Sequence, residues 1–539
     1  MTACASSPSR RLRPLPGVLL LAAAVIALWL RVPYLNVRPV HGDEAVHMYK
    51  CNDLWTTGEY RYNPAEFHGP TLYYATLPVL ALSGAADWRA TTPATFRMVT
   101  VVFGVGLVLV ACFVMGGPGR TAGLWAALFT AVSPALTFYS RYYIQETLLV
   151  SFTAVVLLGG RQYLRSGRLG WAVLAGVGIG LMHATKETAI IAWAAMAAAL
   201  LALWLWSRAR GERRSALRRS PHGWPLLAGC ATAIVVSVAC FSVGFRYWRG
   251  PLDSLLALGH YVQRAGGAGH AQPWHDYLRI LVAGAGLGAP TITEALIVGL
   301  ALVGALTALL GRGHAADDLP FLRFLTIFTL LLTAAYAVIP YKTPWSMLGF
   351  QHGLVYLAGA GAAALVDACR RRAFQVATAL VLLIGSGHLA WQSWRINTRL
   401  YTHPRNPYVY GHPLLDVEEL ARYVEQLAAA APQDRPFVVH VITDNPWPLP
   451  WYLRHLEHVG YWEWVPPEPD ADVVIVDADL GPELRSKLRG AYDEQAYAFR
   501  PYVHVKVLAR AELRREFERR HQAPAPAESQ RAAWAGSQP

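Results

Sequence analysis

Residues 17–50 read GVLLLAAAVIALWLRVPYLNVRPVHGDEAVHMYK: an apolar core from Gly17 to Leu30, a short linker, then the acidic pair Asp43-Glu44 with Lys50 behind it. The apolar run, read as 15–32, has the length a helix needs to span a bilayer. Charges at a membrane boundary are expensive, so a site is the default reading of the acidic pair. Arg10, Arg11 and Arg13 precede the core, as in a signal peptide, but no small-x-small cleavage pattern follows in Leu30-Arg31-Val32-Pro33-Tyr34. An uncleaved anchor is expected.

Ten further apolar runs follow, at about 98–115, 122–138, 144–160, 170–185, 188–206, 224–245, 290–310, 321–339, 346–366 and 374–392. With 54% hydrophobic and 15% charged residues, the composition excludes an ordinary soluble protein. The expected class is a polytopic α-helical membrane protein with about 11 transmembrane helices. Basic residues set the expected orientation. With the N-terminus cytoplasmic, the inner loops hold 18 Lys/Arg in 67 residues and the outer loops 12 in 125. This asymmetry favours that topology, in a plasma (inner) membrane. The net charge of +13 is therefore partly an orientation signal and gives no reason to expect nucleic acid. Arg213-Arg214 and Arg370-Arg371-Arg372 read as bilayer-facing anchors. The six cysteines include no pair on the outer side, so no disulfide framework is implied.

The chain divides into a membrane domain, 1–394, a soluble extracytoplasmic α/β domain, 395–510, and a disordered tail, 511–539, that opens with a charged helix fragment. The long outer loop 33–97 is rich in Trp, Tyr and Pro and is expected to form interfacial helices. The loop 246–289 carries Gly266-Gly267 and Gly269 as a flexible turn. In the C-terminal domain, Asp416-Val417-Glu418-Glu419 has the pattern of a capping box opening a helix through Ala431. Phe437–Ile442, Val473–Val476 and Val503–Leu508 read as buried strands, and Pro482–Tyr492 as a helix. No GxGxxG follows a strand, and Asp477-Ala478-Asp479 reads as a structural turn.

Of 48 basic residues only five are Lys. Lys50, Lys186 and Lys342 all stand in polar loops at the ends of apolar runs, where Arg is otherwise the rule. An ionised Asp43 could accept a proton from an acceptor hydroxyl, although acidic residues also suit a helix N-terminus. His68, in Phe67-His68-Gly69-Pro70, is held by a turn and could donate to a phosphate. Arg141 and Glu146 share the loop Ser140–Glu146. Lys186 and Lys342 are compact point charges suited to phosphate. Their alternatives are headgroup contacts or an internal ion pair such as Lys186–Glu187.

The set His41-Gly42-Asp43-Glu44, Phe67-His68-Gly69-Pro70, Arg141–Glu146 and Tyr341-Lys342-Thr343-Pro344-Trp345 resembles the GT-C-fold membrane glycosyltransferases. The dolichyl-phosphate-mannose–protein mannosyltransferases and aminoarabinose transferases are the familiar members. With Arg405–Pro413 added, the set is most similar to the flippase-activity-associated branch. The resemblance covers roughly 15–395 and implies a polyprenyl-phosphate sugar donor, with an acceptor glycan, lipid or protein. It implies Asp43 as general base, with Glu44 and Glu146 as neighbouring catalytic carboxylates. His68, Arg141, Lys186 and Lys342 would meet the lipid phosphate. The carboxylates could hold a divalent metal, but the cations already supply charge, so no obligatory cofactor is expected. The domain after the spans departs from the mannosyltransferase pattern, which leaves the acceptor open. The alternative is a flippase component without transferase activity. It would need ionisable residues along a path through the spans.

Overall fold

The computed structural model describes residues 14–65, 67–211, 223–265, 271–284, 292–501 and 503–522. The first arginines, Arg213-Arg214, the Gly266–Gly269 turn and the tail from residue 523 lie outside the described residues. Two compact units are present. The first is built from the described parts of Met1–Val37, Lys50–Ala86 and Ala90–Tyr410. The second is built from those of Arg38–Tyr49, Asp87–Arg89 and Gly411–Pro539.

The chain opens with α1 (Pro14–Arg31), α2 (Gly42–Thr57), α3 (Thr71–Ser83), α4 (Pro93–Val114), α5 (Thr121–Val132), α6 (Pro134–Tyr139), α7 (Glu146–Ser166) and α8 (Leu169–His183). Then come α9 (Ala189–Ala209), α10 (Gly223–Phe241), α11 (Arg249–Ala265), α12 (Asp276–Ala283), α13 (Ala295–Leu310), α14 (Leu319–Val338), α15 (Leu348–Ala368) and α16 (Arg372–Thr398). Each of the eleven apolar runs contains a helix. Seven helices among the described residues are long and apolar enough to cross a membrane. The runs 15–32, 122–138, 170–185 and 290–310 hold shorter apolar helices instead, so a polytopic helical architecture is established without fixing eleven crossings. The run 122–138 is broken at Ser133-Pro134, where α5 ends and α6 begins. Pro134 has no N–H to continue the ladder. The fully buried Glu294 takes the Ser133 hydroxyl at 2.7 Å and the Ala135 amide at 2.8 Å on one carboxylate oxygen.

Two features hold the helices together. Glycines let backbones meet: a Cβ on Gly176 of α8 would strike the Gly229 carbonyl of α10, and Gly304 of α13 faces Leu357 of α15 in the same way. Packing of this kind is how helices associate where the solvent is as apolar as their side chains. Buried cations also hold helix C-termini, whose last carbonyls have no partner within the helix. Arg31 donates to the Thr130 and Ala131 carbonyls at the end of α5, at 3.0 and 2.8 Å. Arg323 reaches Ala308 near the end of α13 at 3.2 Å, and Arg161 bonds the Val114 carbonyl that closes α4.

The second unit contains α17 (Asp416–Ala430), β1 (Val438–Ile442), α18 (Leu449–Tyr452), β2 (His458–Trp462), β3 (Val473–Asp477), α19 (Gly481–Lys487), β4 (Tyr492–Arg500), β5 (Val503–Arg510) and α20 (Ala511–Gln522). The sheet order is β2-β1-β3-β5-β4, with β2, β1 and β3 parallel and β5 and β4 antiparallel. Alternate residues of the central strands serve opposite faces. Val439, Val441, Val473 and Ile475 pack with Val417, Leu420, Val424 and Leu427 of α17. Ile442, Val474 and Val476 pack with Leu484 on the other face. Parallel strands buried on both faces read as continuous apolar runs, which is why β1 and β3 are visible in the sequence.

The expected strand Val503–Leu508 lies within β5 and the expected helix to Ala431 is α17, but two details need correction. Asp416 opens α17, but its carboxylate takes the Ala498 amide of β4 at 3.1 Å and does not cap the helix. The helix expected over Pro482–Tyr492 stops at Lys487, because Tyr492 begins β4. Strands β2 and β4 lacked an apolar run to announce them.

Candidate functional site

The acidic pair belongs to the second unit and divides sharply. At the start of α2, the His41 amide donates to Glu44 Oε2 at 3.2 Å and the Asp43 amide donates to His41 Nδ1 at 3.0 Å. The Glu44 bond is the return half of a capping box, and the His41 ring caps the helix one amide earlier than Ser or Thr does in that motif. Arg38 adds a bond to Glu44 Oε1 at 3.3 Å, and Glu44 is fully buried. Glu44 thus fixes the helix start. The Asp43 side chain is 51% exposed, with Oδ1 4.0 Å from His41 Nδ1. Two consecutive carboxylates therefore sit in opposite environments, one buried and bonded and one open to solvent.

The remaining candidates lie in the first unit, and each has an internal partner. Arg141 donates to the carbonyls of Arg31 and Pro33, both at 2.6 Å, and of Tyr34 at 3.0 Å. It holds the C-terminus of α1. Lys342 is buried and donates to the Ala337 carbonyl at 3.0 Å and to that of Ile339, at the end of α14. Its ammonium also stands 5.7 Å from the centre of the Tyr277 ring. Burial lowers the ammonium's pKa, and Asp276 opposes this. Lys50, the third loop lysine, bonds Asp53 at 3.5 Å and stands over the Phe67 ring.

His68 Nδ1 meets Glu187 Oε2 at 2.7 Å, and the Tyr62 hydroxyl donates to Glu187 Oε1. Burial would raise the Glu187 carboxyl, but the His68 charge and both hydrogen bonds reverse this and bring it down to about 2. Gly69 is required in the same turn, because a Cβ there would collide with the Ala184 carbonyl. The Thr71 amide donates to that carbonyl at 3.2 Å, and the Thr71 and Thr185 hydroxyls meet at 2.8 Å. The turn 67–71 and the loop 183–187 are thus stitched together. Sequence reading set Glu187 beside Lys186 and missed its partners, which lie over a hundred residues away.

Lys186 and Glu146 form a buried ion pair. Burial alone would lower the Lys186 ammonium, but the Glu146 charge and hydrogen bond raise it above its ordinary value. The pair lines a recess. Leu149, Val150, Ala192, Leu332 and Leu348 supply apolar wall, and Thr153, Thr188, Tyr336, Trp345 and Ser346 supply polar or aromatic edges. Helices α7, α9, α14 and α15 therefore share the walls. Among the described residues no group of three or more His, Cys, Asp or Glu is placed to hold a metal ion.

Residues 67–240 match the sequence model of the dolichyl-phosphate-mannose-protein mannosyltransferase family. No curated protein matches the chain. Among solved structures, the chain is similar to ArnT from Cupriavidus metallidurans bound to undecaprenyl phosphate. The identity is 16% and the TM-score 0.58, over 93% of this chain and 99% of that one. Against the apo state of ArnT the values are 15% and 0.58, over 92% and 98%. At such identity the likeness is one of fold. The chain has the GT-C-type fold that its motif set predicts, as a multi-pass membrane protein with a C-terminal sheet domain.

Proposed function

We propose that this chain is a membrane glycosyltransferase that moves a sugar from a polyprenyl-phosphate donor to an acceptor hydroxyl on the outer face of the membrane. The observation that carries this reading is the buried Lys186–Glu146 pair in the wall of an otherwise largely apolar recess. An ammonium has three N–H donors. Glu146 takes one, which leaves donor capacity for a phosphate oxygen, while the apolar wall suits the first isoprene units. The ArnT structure, which contains undecaprenyl phosphate in the same fold, supports the choice of donor.

The chemistry is a single displacement. Asp43 takes the proton from the acceptor hydroxyl as its oxygen forms a bond to the anomeric carbon. The bond from that carbon to the phosphate oxygen breaks, and its electron pair leaves with the polyprenyl phosphate. A fixed cation such as Lys186 acts where negative charge grows, an effect strengthened where water is excluded. Glu44 contributes by fixing Asp43, and Glu146 by holding Lys186 charged. Arg141, Lys342 and His68 act through the helix ends and loop they secure. The proposed orientation has the N-terminus cytoplasmic and the domain from 395 extracytoplasmic.

The test is transfer from a radiolabelled polyprenyl-phosphate sugar in proteoliposomes. Asp43→Asn is expected to abolish transfer and leave donor binding intact. Full transfer by Asp43→Asn would remove the proposed base.

A further inference from the structure

The second unit carries an aromatic surface that the transfer reaction does not itself explain. Tyr49 is 42% exposed and packs edge-on against Trp447, with ring centres 5.9 Å apart, and against Trp88 at 6.4 Å. Trp88 is anchored from below by the buried Trp451, at 5.1 Å. The Trp447 side chain starts beside Gly42, where a Cβ would lie 3.5 Å from its own, and its ring reaches Tyr49. Gly42 and Tyr49 are seven residues apart, so they share one face of α2. Trp447 therefore runs along α2 from the residue next to Asp43.

The polar groups around this surface come from three elements: Asp43 from α2, Arg500 from the end of β4, and Asp444 from just past the carboxyl end of the parallel strand β1. Strand β1 ends at Ile442, and the segment Thr443–Trp447 follows. The Arg500 guanidinium closes that segment by donating to the Asn445 and Trp447 carbonyls at 3.0 and 2.8 Å. Asp444 is exposed beside it. Successive connections leave β1 for β2 on one side and return to β3 on the other. In open α/β sheets, ligands bind outside the strand carboxyl ends where the order reverses in this way. Asp43 also acts electrostatically on Arg500, whose pKa is lowered chiefly by burial and raised by Asp444, Asp477 and Asp43.

Flat aromatic faces beside carboxylates and a guanidinium suit a saccharide. Rings cover the C–H faces of a pyranose, and the charged groups bind its hydroxyl pairs. The carboxylates disfavour an anionic ligand. We propose that Tyr49, Trp88 and Trp447, with Asp43, Asp444 and Arg500, form a binding subsite for a neutral saccharide, the acceptor. This rests on the reading of Asp43 as base and extends it by naming the acceptor class and the domain that holds it.

The experiment uses the full chain in lipid nanodiscs on an array of immobilised neutral oligosaccharides, acidic oligosaccharides and Ser/Thr-rich peptides. The wild type is expected to bind neutral oligosaccharides. Trp447→Ala and Tyr49→Ala should each weaken binding by about tenfold, while Trp447→Phe stays within about threefold. Trp464→Ala, which removes a different exposed Trp, should change nothing. Thermal midpoints identify any variant that fails to fold, and Tyr49→Ala then carries the test in place of Trp447→Ala. Asp43→Asn should lose transfer and, because Asp43 belongs to the subsite, also weaken binding. Binding only to acidic glycans or peptides, no binding at all, or wild-type binding by both alanine variants would overturn the subsite. Retained transfer by Asp43→Asn would remove the base but not the subsite, so the two failures are distinguishable.

Discussion

Lys186 and Lys342 read alike in sequence, as single lysines in short polar loops between apolar runs, yet their surroundings differ in kind. Lys186 faces a carboxylate and lines a recess. Lys342 faces backbone carbonyls at the end of α14. A carboxylate partner keeps an ammonium charged and able to share itself with an incoming anion. Carbonyl partners tie it to a helix terminus. The same charge at the same kind of boundary thus has two kinds of partner, and under the proposed function the first serves chemistry and the second architecture.

The largest effect should come from Lys186. Lys186→Ala is expected to lower kcat for transfer by about 10²–10³-fold, the usual loss when one fixed electrostatic stabiliser is removed. Lys186→Arg should recover little, because a planar fork does not replace a compact ammonium in a closed recess. Equal loss of kcat from Lys342→Ala would erase the contrast.

Next comes the carboxylate. In the wild type, Lys186 is held above its ordinary value, so the pair persists at neutral pH and is lost only as pH rises through that elevated value. In Glu146→Gln, burial is opposed only by the lesser effects of Tyr336 and Glu187. The basic limb of the pH–rate profile should move toward neutrality, and an unmoved limb would uncouple the two residues.

Lys342 should act on stability. Lys342→Ala is expected to cost about 1–2 kcal/mol, measured as a lower thermal midpoint, as for loss of a cation at a partly buried helix C-terminus. Lys342→Arg should keep both midpoint and activity, since Arg31 and Arg323 already do this work elsewhere in the molecule.

The smallest effect concerns Glu187. Its carboxyl is depressed, so its contribution is present above the ordinary value near 4.5 and fades as pH falls toward about 2. The gap in thermal midpoint between wild type and Glu187→Gln should be constant above about pH 4.5 and close below it. A gap that widens in acid would contradict the pairing with His68.

These contrasts also mark what the sequence could reveal. Asp43-Glu44 was legible as a charged pair after an apolar run, and the strands β1 and β3 as short apolar segments, the first interrupted only by His440. The capping role of Glu44 depends on Arg38 and the backbone geometry at His41, which no spacing rule displays. Strand β2 is a half-exposed edge, and β4 begins with exposed Asp493, Glu494 and Gln495, so neither carries a hydrophobic period. The partners of Arg141 and Lys342 are carbonyl oxygens, which every residue possesses and none advertises. Glu294 sat at the head of an apolar run as a lone acid, a visible oddity whose partners Ser133 and Ala135 lie about 160 residues away.

The glycine contacts have a mechanical consequence. Where Gly176 meets Gly229 and Gly304 meets Leu357, no side chain lies between the backbones to change rotamer and lubricate sliding. The pairs α8–α10 and α13–α15 must therefore move as welded bodies. The walls of the recess come from α7, α9, α14 and α15, of which only α15 belongs to one of these two pairs. Any parting of helices around that space runs along the other joints and never through the welds.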